Sequence, residues 1–216
     1  MTTVSPADAF GGLYRKDVKT SIWRVNGAVT PTVPFTDIPS LLASVPADTT
    51  MRTSHPELDM PANSTADQKA AAPTARFPEE QRNVSVPAYI WYVGKEADND
   101  FHLILGSTAD ATATHMNAEV SGLPPGGIDF DTLSQARAQL DSLLGGHPDP
   151  SEGYRELQPQ LSVLITGSLF FDGDHRPGEV GPTGHQPKTV WEIHPITSLQ
   201  AVTAQPSATP TPPAAP

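Results

Sequence analysis

The chain has no cysteine, which excludes disulfides, thiolate zinc sites and cysteine nucleophiles. It is also short of positive charge, with 13 lysines and arginines against 24 aspartates and glutamates and a formal charge of −11. Such a balance repels phosphate backbones and anionic headgroups and argues against general nucleic-acid binding. No run approaches the ~18 consecutive apolar residues of a membrane-spanning helix, and Met1 to Gly12 lacks the charged-then-apolar layout of a signal peptide. A soluble chain is expected, cytoplasmic or the mature form of an exported protein, with no membrane partner. A nucleophile elbow of the Gly-x-Ser-x-Gly type, a phosphate loop and a dinucleotide fingerprint are all missing, so no nucleotide cofactor is expected.

Proline and glycine are in excess, and 24 of one with 16 of the other in 216 residues disfavour an all-helical bundle. The length suits one domain with appendages. Residues 13–45 read as an N-terminal flap, with a short strand at Ser21–Val25 and a brief helix that Asp37 can cap ahead of Pro39. Residues 46–78 are Ala, Thr, Ser, Asp and Pro with few large apolar side chains, the composition of a flexible linker. Residues 203–216 carry five prolines and read as a disordered, Pro-rich tail.

Residues 79–202 hold the sharpest apolar pattern. Strands are expected at Val84–Val93, Phe101–Leu105, Met116–Val120, Leu161–Phe171 with a bend at Gly167, and Thr189–Leu199. Between the third and fourth, Leu133, Ala136, Leu140, Leu143 and Leu144 share one helical face, with Asp131 as the starting cap and Gly145, Gly146 and Pro148 as the stop. Three strands, a helix and two strands is the layout of a mainly β, OB-like five-stranded barrel. A split β-sandwich or another small barrel would use the same string.

Asp17-Val18-Lys19-Thr20, the run Glu96–Leu105, Thr166-Gly167-Ser168-Leu169-Phe170-Phe171-Asp172 through His175, and Trp191-Glu192-Ile193-His194-Pro195-Ile196 together resemble an uncharacterised family of bacterial proteins with an OB-like barrel core. The resemblance spans roughly residues 17–200. It implies the barrel and the importance of the acidic and histidine positions, and it brings no reaction. The loop Leu123-Pro124-Pro125-Gly126-Gly127 departs from the family pattern.

Alternation along the strands gives the candidate site. If Phe101, Leu103, Leu105, Met116, Ala118, Val120, Trp191 and Ile193 point inward, then His102, Glu119, Glu192 and His194 all point outward. In an OB barrel their strands are neighbours, ~4.8 Å apart, within reach of one shared ion. His175, with Asp172 and Asp174, could close the group from the rim, and Asp98 and Asp100 flank it on a hairpin tip. The spacing around Asp172-Gly173-Asp174-His175 does not match an EF-hand loop. Imidazoles with carboxylates suit zinc or manganese, and an open coordination position would make a metal-dependent hydrolase. The plainer reading is a hydrogen-bonded polar ladder on a half-exposed sheet. The protein is then a binding or interaction module for a small ligand, glycan or protein, a reading favoured by the lack of a strong catalytic motif. Only Lys95, Arg176 and Lys188 lie near the barrel loops, so Tyr89, Trp91, Tyr92, Phe170 and Phe171 are expected in the core or on a protein-binding surface rather than stacking on bases.

Overall fold

A computed structural model describes residues 4–146 and 153–202. Pro148 and the tail expected at 203–216 lie outside the described residues. The elements are α1 (Lys16–Lys19), β1 (Arg24–Val25), β2 (Ala28–Val29), β3 (Thr32–Pro34), α2 (Ile38–Leu42), α3 (Asp48–Ser54), α4 (Ala66–Ala70), β4 (Asn83–Lys95), β5 (Phe101–Gly106), β6 (His115–Val120), α5 (Phe130–Leu144), β7 (Arg155–Phe171) and β8 (Trp191–Ala201). Among the described residues the protein is mainly β, with eight strands in two sheets. No helix among the described residues is long and apolar enough to cross a membrane.

β1 and β2 form a minimal hairpin, and the other six strands form one sheet. β4 pairs antiparallel with β5 through Tyr89–Lys95 and antiparallel with β7 mainly through Asn83–Ile90, with a register shift between Ile90 and Tyr92. β5 pairs antiparallel with β6, β6 parallel with β8, and β8 antiparallel with β7. Each of β4 to β8 therefore has a strand neighbour on both sides. β3 adds to β4 in parallel beyond the reach of β5, along Asn83–Ser85. Alternate residues Val84, Val86, Ala88 and Ile90 of β4, Phe101, Leu103 and Leu105 of β5, and Met116, Ala118 and Val120 of β6 are buried in one core. Leu133, Ala136 and Leu140 of α5 are buried at helical spacing, and Gly145 ends that helix in the left-handed conformation (φ 70°).

Several expectations are corrected. The strand at Ser21–Val25 shrinks to Arg24–Val25. Asp129, not Asp131, occupies the N-cap position of α5, and its carboxylate accepts from the Ile22 N–H and pairs with Arg24 instead of capping the helix. The region 13–45 is more than a flap, because β3 joins the main sheet and Ile38 and Leu41 of α2 are fully buried. Asp37 does cap α2, accepting from the Ser40 N–H at 2.7 Å.

Residues 46–78 are not a flexible linker. They contain α3, a 3-10 turn at Pro56–Leu58 and α4, and they bury Met51 and Leu58 in the interior. Their polar groups, which made the stretch look unstructured, are the ones that fasten it. Asp48 accepts from the Thr189 hydroxyl at 2.6 Å and the Val190 N–H at 2.9 Å, Arg52 donates to the His175 carbonyl at 2.6 Å, and the Pro46 carbonyl accepts from the Trp191 indole at 2.9 Å. Two fully buried apolar side chains and a set of long-range hydrogen bonds offset the ordering entropy that the composition alone could not.

Candidate metal centre

His102 lies opposite Glu119 across β5 and β6, and Asn117 lies opposite Glu192 across β6 and β8. Strand alternation brings these side chains and His194 to the face opposite the core, as expected. That face is not half-exposed, however. His102, Glu119, Glu192 and His194 retain 3, 5, 1 and 0% of their accessible surface. The cover is the N-terminal arm, whose Ala9 bridges to Leu123 and whose Tyr14 and Val18 pack with Ala72 and Phe170. Arg15 anchors the arm through a fully buried, bidentate pair with Glu80 at 2.6 and 2.7 Å. Arg76 ties it to the strands by donating to the carbonyls of Val18 and Ser21 at 2.9 Å and of His194 at 3.0 Å.

α1 on this arm delivers Lys19, whose ammonium lies 3.9 Å from Glu119 Oε2 and 5.5 Å from the centre of the Phe170 ring. His194 sits at the middle of the cluster. Its Nδ1 is 3.0 Å from Glu119 Oε2 and 3.7 Å from Glu192 Oε2, and its Nε2 is 3.4 Å from Asp100 Oδ2. Neither ring nitrogen is aligned for a hydrogen bond with any of them. His102 Nε2 faces Glu119 Oε1 at 3.9 Å and is equally unpartnered. Asp100 Oδ1 accepts from the Gly122 N–H at 2.6 Å, and Glu192 Oε1 meets the Asn117 amide at 3.5 Å. The second oxygen of each carboxylate has no partner among the described residues. Two sets of three side chains, Asp100–Glu119–His194 and His102–Glu119–Glu192, place one donor atom from every member within 4.8 Å of the others, and Glu119 is common to both.

On the outer side of His102, Nδ1 lies 2.5 Å from the Tyr154 hydroxyl, which in turn lies 3.4 Å from Glu96 Oε1. When Tyr154 donates to Glu96, its oxygen accepts from Nδ1–H, and Nε2 is left as a bare lone pair facing Glu119.

The electrostatics follow from burying like charges together. Burial and the neighbouring Glu119 push Asp100 and Glu192 well above the usual carboxylate range. Glu119 goes the other way, because Lys19 and His194 outweigh its burial and hold it well below that range. Lys19 stays charged despite burial, held up by Glu119, Asp172, Asp100 and Glu192. Burial depresses His194 in spite of the Glu119 carboxylate beside it.

His175 and Asp172 form their own pair, with Nδ1 2.8 Å from Oδ2. The hydrogen bond to Asp172 lifts His175 to about 9, against the effect of burial. Burial would raise Asp172, but Lys19 and His175 hold it at about 2. His175 belongs to neither set of three but lines a cavity of about 250 Å³ with Lys19, Glu96, Ala97, Asp98, His102, Glu119 and Val180. Asp174 is turned to Lys69 at 2.5 Å and takes no part in the cluster.

The expected residues thus divide. His102, Glu119, Glu192, His194 and Asp100 come together, Asp98 and His175 line the cavity, Asp172 supports His175, and Asp174 is elsewhere. Lys19 and Tyr154 were missed as site residues. Lys19 stood within a motif that carried the family resemblance, and that was the one signal available for it. No family model matches the chain, and no curated protein matches it.

Proposed function

We propose that the ring of strand pairings from β4 through β8 is an OB-like barrel, and that the protein is a metal-dependent hydrolase holding one divalent ion, zinc or manganese, among Asp100, His102, Glu119, Glu192 and His194. The observation that carries this reading is a set of five buried donor atoms with no hydrogen-bond partner among the described residues: Asp100 Oδ2, His102 Nε2, Glu192 Oε2 and both ring nitrogens of His194. An unsatisfied buried polar atom costs about 1–3 kcal/mol, and folded proteins seldom gather several in one place. One ion can take up one ring nitrogen of His194 together with His102 Nε2 and the carboxylates of Glu119 and Glu192, and it leaves the other ring nitrogen to Asp100 at 3.4 Å. Charge agrees. With Asp172 matched by His175, an ion that displaces the protons burial holds on Asp100 and Glu192 would meet three carboxylates against Lys19, two negative charges that one divalent ion balances. The ion supplies Lewis-acid polarisation and an activated water, and the cavity gives a small substrate access to it.

Elemental analysis of untagged protein tests the reading. About one zinc or manganese per chain is expected, and His194→Ala should abolish its retention. Removing the ion should lower the melting temperature and stop hydrolysis of small ester substrates, with both restored on adding the metal back, because a ligand bound only to the folded state stabilises it. A metal-free protein with unchanged stability on metal addition would return the cluster to a polar ladder and the barrel to a binding module.

A further inference from the structure

The cavity beside the cluster has two cationic side chains in its wall, and each keeps N–H donors that no group among the described residues takes. Lys19 is 93% buried, since it retains 7% of its surface, and its ammonium, which makes no hydrogen bond among the described residues, is not one of the fully enclosed polar atoms but reaches the cavity. Its nearest charged partner is Glu119 at 3.9 Å, beyond hydrogen-bonding distance. An ammonium has three donors, and those of Lys19 are left to whatever fills the cavity. His175 spends Nδ1 on Asp172 at 2.8 Å and keeps Nε2 as a second donor at the rim of the same cavity. It carries positive charge at neutral pH because Asp172 holds the proton on it.

Resting on the metal reading above, we infer that this cavity binds the phosphate group of a small phosphate ester, with its oxygens shared among the ion, Lys19 and His175. Three separate centres, each able to take an oxygen, suit an acceptor with at least three oxygens, which a phosphate has and a carboxylate lacks. The volume of about 250 Å³ lies below the ~300–1,000 Å³ of pockets that enclose drug-sized ligands, so the group esterified to the phosphate is small. Glu96 and Asp98, on the same wall, and the net charge of −11 keep polyanions out, so a nucleic-acid strand is not the substrate. Local recognition of one phosphate and global repulsion of many are compatible, because the interaction with the ion and Lys19 is short-ranged and shielded from solvent.

The probe is inorganic phosphate, titrated calorimetrically into the zinc- or manganese-loaded full chain. Phosphate is expected to bind, and Lys19→Met and His175→Gln are each expected to weaken it at least tenfold while metal content stays at one per chain. His175 sits on a half-exposed loop, so His175→Gln decides the matter if Lys19→Met does not fold. A metal-loaded chain that ignores phosphate, or that binds it equally well in both variants, overturns the phosphate inference and leaves the metal reading standing. A chain that retains no metal overturns both.

Discussion

Arg15→Met is the substitution that bears hardest on how the site is covered. Arg15 is fully buried, donates twice to Glu80, also donates to the Ala75 carbonyl at 2.8 Å, and lies over the rings of Phe77 and Phe170 at 5.4 and 5.0 Å. Methionine keeps the stem's volume and removes the charge, leaving Glu80 buried with only the N–H groups of Phe77 and Phe171, both at 2.8 Å, for company. Removing one partner of a buried ion pair costs about 3–5 kcal/mol. At roughly 2–4 °C per kcal/mol for a protein of this size, the melting temperature should fall by about 6–20 °C. Arg15 has a left-handed backbone (φ 47°) that methionine inherits, so backbone strain cancels in the comparison. The double variant Arg15→Met/Glu80→Met should recover much of the loss, since both charges then leave together. Urea denaturation measures the energies, and amide exchange over residues 14–20 shows whether the arm opens ahead of the sheet. A loss below about 1 kcal/mol, or no coupling in the double-variant cycle, would refute the idea that this pair clamps the arm.

His175 should titrate near 9 in a histidine NMR experiment, and Asp172→Asn should return it toward its ordinary 6.5. Since its folded value is raised, its stabilising contribution is complete below about 6.5 and fades as pH rises through 9; that of Asp172, whose folded value is lowered, is complete above 3.8 and fades as pH falls through about 2. A His175 midpoint near 6.5 in the unaltered protein would sink the pairing. Gly173→Ala would place a methyl 1.8 Å from the Leu58 carbonyl oxygen and should cost at least about 1–3 kcal/mol, with residues 46–78 becoming the first site of proteolytic cleavage. A variant as stable and as protease-resistant as the parent would mean that this stretch does not pack against the loop after β7.

The strands and α5 were legible because their signals are local. Period two in Phe101–Leu105 and Met116–Val120 and the 3.6 period of Leu133, Ala136 and Leu140 each need only a few neighbouring residues to read. The same alternation correctly put His102, Glu119, Glu192 and His194 on one face. It could not show what lay over that face. The cover comes from residues far away in sequence, and a short helix of four residues, Lys16–Lys19, has too little periodicity to announce an amphipathic side. Asp131 was expected to cap α5, but Asp129 holds the N-cap position, and its carboxylate bonds to Ile22 and Arg24, distant partners that outcompete the local helix cap. Residues 46–78 were misread because composition averages over the window, whereas order there depends on two side chains, Met51 and Leu58, and on hydrogen bonds to β8 and the loop before it. Tyr154, which hydrogen-bonds His102, sits just before β7, where nothing in the local pattern ties it to a histidine on β5.

Because the arm and β8 meet over the same cluster, the order of synthesis matters to when the site can exist. Lys19 leaves the ribosome before Glu119, and Glu119 before His194. A nascent chain carries the arm long before the strand that completes the donor set. Until β8 inserts between β6 and β7, Arg76 has no His194 carbonyl to grip and Phe170 has no imidazole to pack against. The donor set is therefore finished in a single late step, and a chain stopped before β8 would keep its arm clamped at Glu80 yet lack Glu192 and His194 beneath it.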